Sequence, residues 1–307
     1  MIRPGLCCIS LTLQERDPPV KFQTMTFKRF SSLDRNESLQ ILGDRILNNL
    51  RTTKEIIKFC KHNNWVYRVS SDIFPLITYD QANVTLQDLP NYNLIDQEFD
   101  NIKQTIIDTQ VRVSCHPSEF NSLASLNPKV VDKTIIELNF YSWFFDRIGL
   151  PANHNAPMNL HVHNNNGTRE EITNRFYENF KRLDQNCQSR LTIENDDKLN
   201  CWSVRELIDT FYPITKIPIC FDYLHHACHS DFMTEREAIE ECYMTWNNHR
   251  PLFHYSESRE GNNPRAHADY AVNPIETYGL EFDLDYELKA KDYAIEKHSQ
   301  SFKEIFV

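Results

Sequence analysis

Three things are missing from this chain, and each absence removes a class. It has no apolar run long enough for a membrane span, no C-x-x-C pair among its nine cysteines, and no cationic surplus, since 33 Lys and Arg face 43 Asp and Glu. The first absence speaks against a helical membrane protein, and the opening Met-Ile-Arg-Pro-Gly-Leu-Cys-Cys-Ile-Ser is too short and poorly flanked for a signal peptide. The second speaks against a zinc knuckle or redox motif. Cys60, Cys115, Cys187 and Cys220 fall within apolar patterns and read as reduced, buried small hydrophobes, and the neighbour pair Cys228-His229 is not expected to be a ligand pair. The third argues against coating nucleic acid by bulk electrostatics, because a formal charge of −10 repels phosphates. Cations bound at a carboxylate site would offset part of that charge, so a local groove stays open to DNA. No low-complexity linker and no internal repeat divides the chain. Residues 1–307 are therefore expected to form one domain, monomeric, without a membrane partner, soluble and cytoplasmic, with the nucleus or an organelle left open.

What is present is an alternation of short β-branched or aromatic runs with amphipathic stretches. Eight runs predict strands: Ile2 to Ser10, Trp65 to Ser70, Val111 to Cys115, Met158 to His163, Arg190 to Glu194, Ile217 to Asp222, Pro251 to Ser256 and Leu280 to Glu287. Between them, apolar residues at three- and four-residue intervals predict helices over Ser38 to Asn63, Asp96 to Gln110, Pro128 to Gly149, Thr168 to Cys187, Ser203 to Tyr212 and Thr234 to His249. Asn127-Pro128 supplies a cap and a first-turn proline, and Gly149 before Leu150-Pro151 supplies a stop. Repetition of strand and helix favours an α/β fold of the TIM (β/α)8 barrel type over an open doubly wound sheet. The segment Thr78 to Leu94, rich in Asn, Asp and Gln, is expected on the same side as the site, as a lid or a simple insertion.

The ends of these runs carry metal-type side chains. His116, His161, Glu194, Asp222, His254 and Glu287 follow one another at intervals of 45, 33, 28, 32 and 33 residues, about one strand-plus-helix unit each. In a closed parallel barrel such residues gather at one mouth, the C-terminal end of the strands. Asp222 and His225 follow the apolar run Ile217 to Phe221 at a spacing that can hold one ion or bridge two. Glu194 ends Leu191-Thr-Ile and precedes Asn195-Asp196-Asp197, where Asp196 or Asp197 reads equally well as a helix cap. His161 and His163 share a face by period-two alternation, His254 ends Leu252-Phe253, and His267 lies on the following loop. Asp283, Asp285 and Glu287 share one side of the last strand, where one is expected in the site and the others in solvent. The mixed His and carboxylate set suits Mn²⁺ or Zn²⁺ better than Ca²⁺ or a structural zinc. Eight candidates exceed the needs of one ion, and two or three ions about 3.5 to 4 Å apart suit phosphodiester hydrolysis.

With these residues in order, the chain resembles the UV-damage endonuclease family over nearly its whole length. The resemblance rests on Thr26-Phe27-Lys-Arg-Phe30, Tyr67-Arg-Val-Ser-Ser71, Ser114-Cys-His116-Pro117, Leu160-His161, Leu191-Thr-Ile-Glu194-Asn-Asp-Asp-Lys198, Asp222-Tyr-Leu-His225-His226, His254-Tyr-Ser256, His267-Ala-Asp-Tyr270 and Glu287-Leu-Lys289-Ala-Lys291. It implies a TIM barrel with two or three divalent ions, most commonly Mn²⁺, on His116, His161, Glu194, Asp222, His225, His254, His267 and Glu287, with Glu194, Asp222 and Glu287 catalytic. It further implies a DNA repair endonuclease that nicks double-stranded DNA containing UV photoproducts immediately 5′ of the lesion, by metal-activated water, leaving 3′-hydroxyl and 5′-phosphate ends. Lesion and DNA contacts are expected from Glu119, Phe120, Leu6, Arg68, Lys289 and Lys291. The chain departs from the family pattern at several places. Glu119 replaces a glutamine, Leu252 a lysine beside the metals, His163-Asn164 a glycine pair, Leu6 a frequent aromatic, and Asp72 the histidine of some members. The rival readings are an abasic-site endonuclease, a sugar-phosphate isomerase of the same barrel type, and a non-catalytic lesion-binding relative.

Overall fold

The computed structural model describes residues 1–259 and 264–306. Its strands are β1 Ile2–Cys7, β2 Val66–Val69, β3 Val113–Cys115, β4 Met158–His161, β5 Leu191–Glu194, β6 Ile219–Cys220, β7 Leu252–Tyr255 and β8 Phe282–Tyr286. They form one parallel sheet in the order β6-β5-β4-β3-β2-β1-β8-β7. The two ends meet through a parallel bridge between Asp222 and His254, with the His254 N–H donating to the Phe221 carbonyl at 2.9 Å. The barrel is thus closed by two of the residues that the sequence marks as ligands.

Every expected strand forms, trimmed at its ends, and the helices run between them on the outside. The first long helix begins at Arg35 behind the cap Asp34 rather than at Ser38, and the second begins at Tyr92 rather than Asp96. The expected helix from Thr168 to Cys187 divides into Arg169–Phe180 and Gln185–Gln188, the first fixed by a Thr168/Glu171 capping box. Ser203 caps an irregular stretch with a π turn at Leu207–Phe211, and a helix at Lys291–Ser301, unmarked in the sequence reading, packs on β1. The segment from Thr78 to Leu94 is a packed insertion: Ala82, Val84, Leu86 and Leu89 are buried and Arg35 donates to the Ala82 and Asn83 carbonyls.

Inside the barrel, side chains rather than water fill the space. Arg68, Ser114, Asn159, Thr192, Cys220, Leu252 and Asp285 converge on a gap with no room for a water molecule. Gly5 is required there, because a Cβ on it would stand 2.1 Å from Asp285 Oδ1. The acids Asp283 and Asp285 of β8, and Glu287 just past it, occupy successive depths of this interior. Asp283 and Asp285 are fully buried, which corrects the expectation that they face solvent: the inner side of a closed barrel has no solvent face. At the N-terminal end Asp283 is gripped by Arg3 at 2.7 Å, Arg112 at 2.9 Å and Arg250 at 2.9 Å. Burial raises the Asp283 pKa, but Arg3 and Arg112 outweigh it and leave the carboxyl below its usual range. No helix among the described residues is long and apolar enough to cross a membrane.

Candidate metal centre

Glu194, the last residue of β5, is the hub of the C-terminal mouth and is fully buried. Its carboxylate faces His254 Nδ1 at 2.8 Å, His225 Nδ1 at 3.0 Å, His116 Nε2 at 3.5 Å and His161 Nε2 at 3.7 Å. His254 and His161 sit on β7 and β4, His116 just past β3 and His225 in the helix that follows β6, so it is barrel closure that assembles them. Burial alone would raise the Glu194 pKa, but His254 and His161, with His116 and His225 close by, hold it well below the usual carboxylate range. His254 and His225 are pushed in the opposite direction: burial lowers them, and the surrounding acids, Asp222 and Glu194 beside His225 and Glu194 and Glu287 beside His254, raise them well above an ordinary imidazole.

The rest of the set is positioned by backbone contacts. Asp222 caps the helix Tyr223–Cys228, its Oδ1 accepting from the His225 N–H at 2.7 Å while Oδ2 makes no hydrogen bond among the described residues. One residue therefore serves as both cap and candidate ligand. His116 Nδ1 contacts the Pro117 carbonyl at 2.9 Å, which turns Nε2 toward Glu194. His267 Nδ1 lies 2.8 Å from the Glu287 carbonyl. Glu287 pairs with Arg68 and stands 3.4 Å from His254; burial raises its pKa, and Arg68 and His254 bring it well below normal.

Three overlapping groups have ligand atoms within 4.8 Å of one another: His116/His161/Glu194, Glu194/Asp222/His225 and Asp222/His254/Glu287. Within them Glu194 Oε1, Asp222 Oδ2 and His254 Nδ1 are buried without a hydrogen bond among the described residues. Unpaired buried polar atoms cost about 1–3 kcal/mol each, and cations at their centre would satisfy all of them, so the donor set fits a metal cluster. Cys220 adjoins Glu194 and His254, but burial pushes its thiol up to about 12, so it stays a neutral neighbour. Cys228 faces the Pro264 carbonyl at 3.9 Å and belongs to none of these groups.

The structure also places residues that the sequence did not single out. Asn195 ties β5 to β6, accepting from the Asp222 N–H at 2.8 Å and donating to the Asp222 carbonyl at 3.2 Å. Asn159 donates to Glu194 from inside the barrel. Asp196 is not a helix cap: its Oδ2 accepts from the Trp202 N–H at 3.1 Å and its Oδ1 lies 3.0 Å from His161 Nδ1. Period-two alternation could have flagged Asn159, two residues before His161 on the same face, whereas nothing local signals the loop contacts of Asn195.

The expected DNA contacts divide. Phe120 is 82% exposed and Glu119 is also exposed, both on the loop after β3, and Glu119 lines a 420 Å³ cavity with His116, His161 and Glu287. Lys289 is exposed and Lys291 half-buried beyond Glu287. Leu6 is a correction: it is fully buried in the barrel wall and has no surface to offer DNA. Arg68 is 8% exposed, pairs with Glu287 and approaches Asp285, and lines the same cavity.

Comparison with known proteins agrees with this geometry. The match to the family described as UV-endonuclease UvdE spans residues 2–306. A UV DNA damage endonuclease of Bacillus cereus (strain B4264) is 28% identical over 96% of this chain and 92% of its own. One of Bacillus anthracis is 28% identical over 92% of this chain and 90% of its own. The crystal structure of SacUVDE superposes with a TM-score of 0.83 at 27% identity, covering 99% of both chains. Endonuclease IV from Thermus thermophilus, at 12% identity and a TM-score of 0.55 over 81% of this chain and 92% of its own, shares the fold alone. The barrel, the ordered strand-end residues and the full-length matches lead to one conclusion: the chain belongs to the UV-endonuclease UvdE family.

Proposed function

We propose that the chain is a DNA repair endonuclease that nicks UV-damaged duplex DNA immediately 5′ of the lesion and leaves 3′-hydroxyl and 5′-phosphate ends. The observation that carries this reading is the gathering of four imidazoles around the buried Glu194, with Asp222 and Glu287 completing three ligand groups at one open mouth. Two or three divalent ions, with Mn²⁺ as the best fit to the donors, would supply Lewis acidity to a water and to the leaving oxygen. Glu194, Asp222 and Glu287 would hold them with His116, His161, His225, His254 and His267. Asn159 and Arg68 hold the Glu194 and Glu287 carboxylates, and Asn195 holds the Asp222 backbone, so that few donor atoms have to move when charge develops on a phosphate.

Lesion recognition falls to the exposed loop after β3. Phe120 projects an exposed apolar ring, and a duplex weakened by a photoproduct opens for it at lower cost than sound DNA. Glu119 beside it accepts hydrogen bonds but donates none when ionised, which shapes which base edges it can meet. The test is incision of a duplex carrying one cyclobutane pyrimidine dimer, with and without Mn²⁺, mapped at nucleotide resolution beside an undamaged control. A metal-dependent cut next to the 5′ side of the dimer is expected. Binding without cutting would overturn the catalytic reading in favour of a lesion-binding protein, and cutting only at abasic sites would overturn the substrate.

A further inference from the structure

We propose that His161 Nδ1, His163 Nδ1 and Asp196 Oδ1 form an additional divalent-cation site beside the central cluster, of a kind that suits Zn²⁺. This rests on the reading of the mouth as a metal centre and adds to it one ion and two ligands, His163 and Asp196. Asp196 Oδ1 lies 3.0 Å from His161 Nδ1 and 3.6 Å from His163 Nδ1. Two ligands each about 2.1 Å from a shared ion, in tetrahedral or octahedral geometry, stand about 3.0–3.4 Å apart. His161 Nδ1 is shielded from solvent, and Asp196 Oδ1 is the acceptor that faces it, so an ion between them would take the place of a shared proton.

Local structure holds these atoms together. Asp196 is 3% exposed, and its other oxygen is occupied by the Trp202 N–H at 3.1 Å, which leaves Oδ1 directed at the two imidazoles. Trp202 is itself anchored through Nε1 to the Asn164 carbonyl at 3.0 Å, so β5 and the turn after β4 are tied on both sides of the site. His163 has a φ of +50°, a left-handed conformation that is unfavourable for a non-glycine residue. That turn folds its ring back over His161, with centroids 4.6 Å apart and an interplanar angle of 26°. A relaxed backbone at this position would carry the imidazole elsewhere.

His161 presents Nε2 to Glu194 and Nδ1 to Asp196. When the ring ligates on both sides it is an imidazolate, and its remaining proton passes to solvent as the second ion enters. Three protein ligands leave a coordination position open toward the mouth cavity, which Lys198 also lines. An ion there gives an acidic chain a cation with which to hold a backbone phosphate outside the central cluster.

The test counts metal. The full-length protein, stripped with a chelator, reloaded with Zn²⁺ and desalted, is analysed by inductively coupled plasma mass spectrometry as wild type and as His163→Gly. Glycine suits the left-handed backbone, and circular dichroism checks the fold. The variant is expected to lose one ion per chain and keep the others; equal counts overturn the proposal. Zinc-edge anomalous scattering from wild-type crystals decides independently of the variant: a peak about 2.1 Å from both a His163 ring nitrogen and Asp196 Oδ1 is expected, and its absence overturns the site. Failure of the wild type to incise DNA would refute the nuclease reading and leave the ion count unaffected.

Discussion

Replacing Glu194 by glutamine changes one oxygen for an amide and removes the single charge that faces four imidazoles, at 2.8, 3.0, 3.5 and 3.7 Å. In metal-free protein the loss strands His254 and His225, whose raised pKa values depend in part on that carboxylate. Removing one partner of a buried ion pair costs about 3–5 kcal/mol. An unfolding entropy of about 2.1 cal/mol/K per residue makes this a fall in Tm of roughly 5–8 °C for a chain of 307 residues. The pH window follows from the signs. Glu194 is depressed, so its contribution is present above an ordinary carboxylate pKa of about 4.3 and is lost as pH falls further. His225 and His254 are raised, so theirs is complete below about 6.5 and is lost as pH rises through their folded values. The difference between wild type and Glu194→Gln should therefore be largest between about pH 4.3 and 6.5. Calorimetry of both metal-free proteins at about pH 6 measures it directly, and the same samples with Mn²⁺ should show wild type stabilised, the variant scarcely so, and incision reduced on the order of 100-fold or more. Equal melting temperatures in that window, or full incision by the variant, would refute the role of Glu194 as an ionised hub.

Three further outcomes are expected. Mn²⁺ affinity should be tighter at about pH 8 than at about pH 6, because the ions must displace protons held on His225 and His254; titration calorimetry giving equal affinities would contradict this. Phe120→Ala should leave the melting temperature within about 1 °C, since an exposed ring contributes little to the core, while discrimination between dimer-containing and intact duplex drops roughly 5- to 150-fold, the worth of one aromatic–base stack. Gly5→Ala should destabilise by about 1–3 kcal/mol or more in urea unfolding, because its Cβ would lie 2.1 Å from Asp285 Oδ1 and 2.8 Å from Val66 Cγ2. An unchanged unfolding midpoint would mean that Asp285 has room to move.

Much of this protein follows from sequence alone, because strand ends and helix faces are local properties. Short apolar runs that end in His116, His161, Glu194, Asp222, His254 and Glu287 identify both the repeat and the mouth, and the period of two correctly puts Asp283, Asp285 and Glu287 on one face. Periodicity assigns a face but not a depth. Only closure of the barrel decided that Asp283 would be buried among three arginines and Asp285 packed beside Gly5, while Glu287 reaches the ligand cluster. The pairing of Arg68 with Glu287 and the burial of Leu6 were likewise unreadable, since each depends on which distant stretch of chain lies alongside as the neighbouring strand. Asp196 looked like a cap because its neighbours in sequence allow it. It faces His161 instead because β4 and β5 pair in a register that sets His161 against Glu194, and that register is a property of the closed sheet.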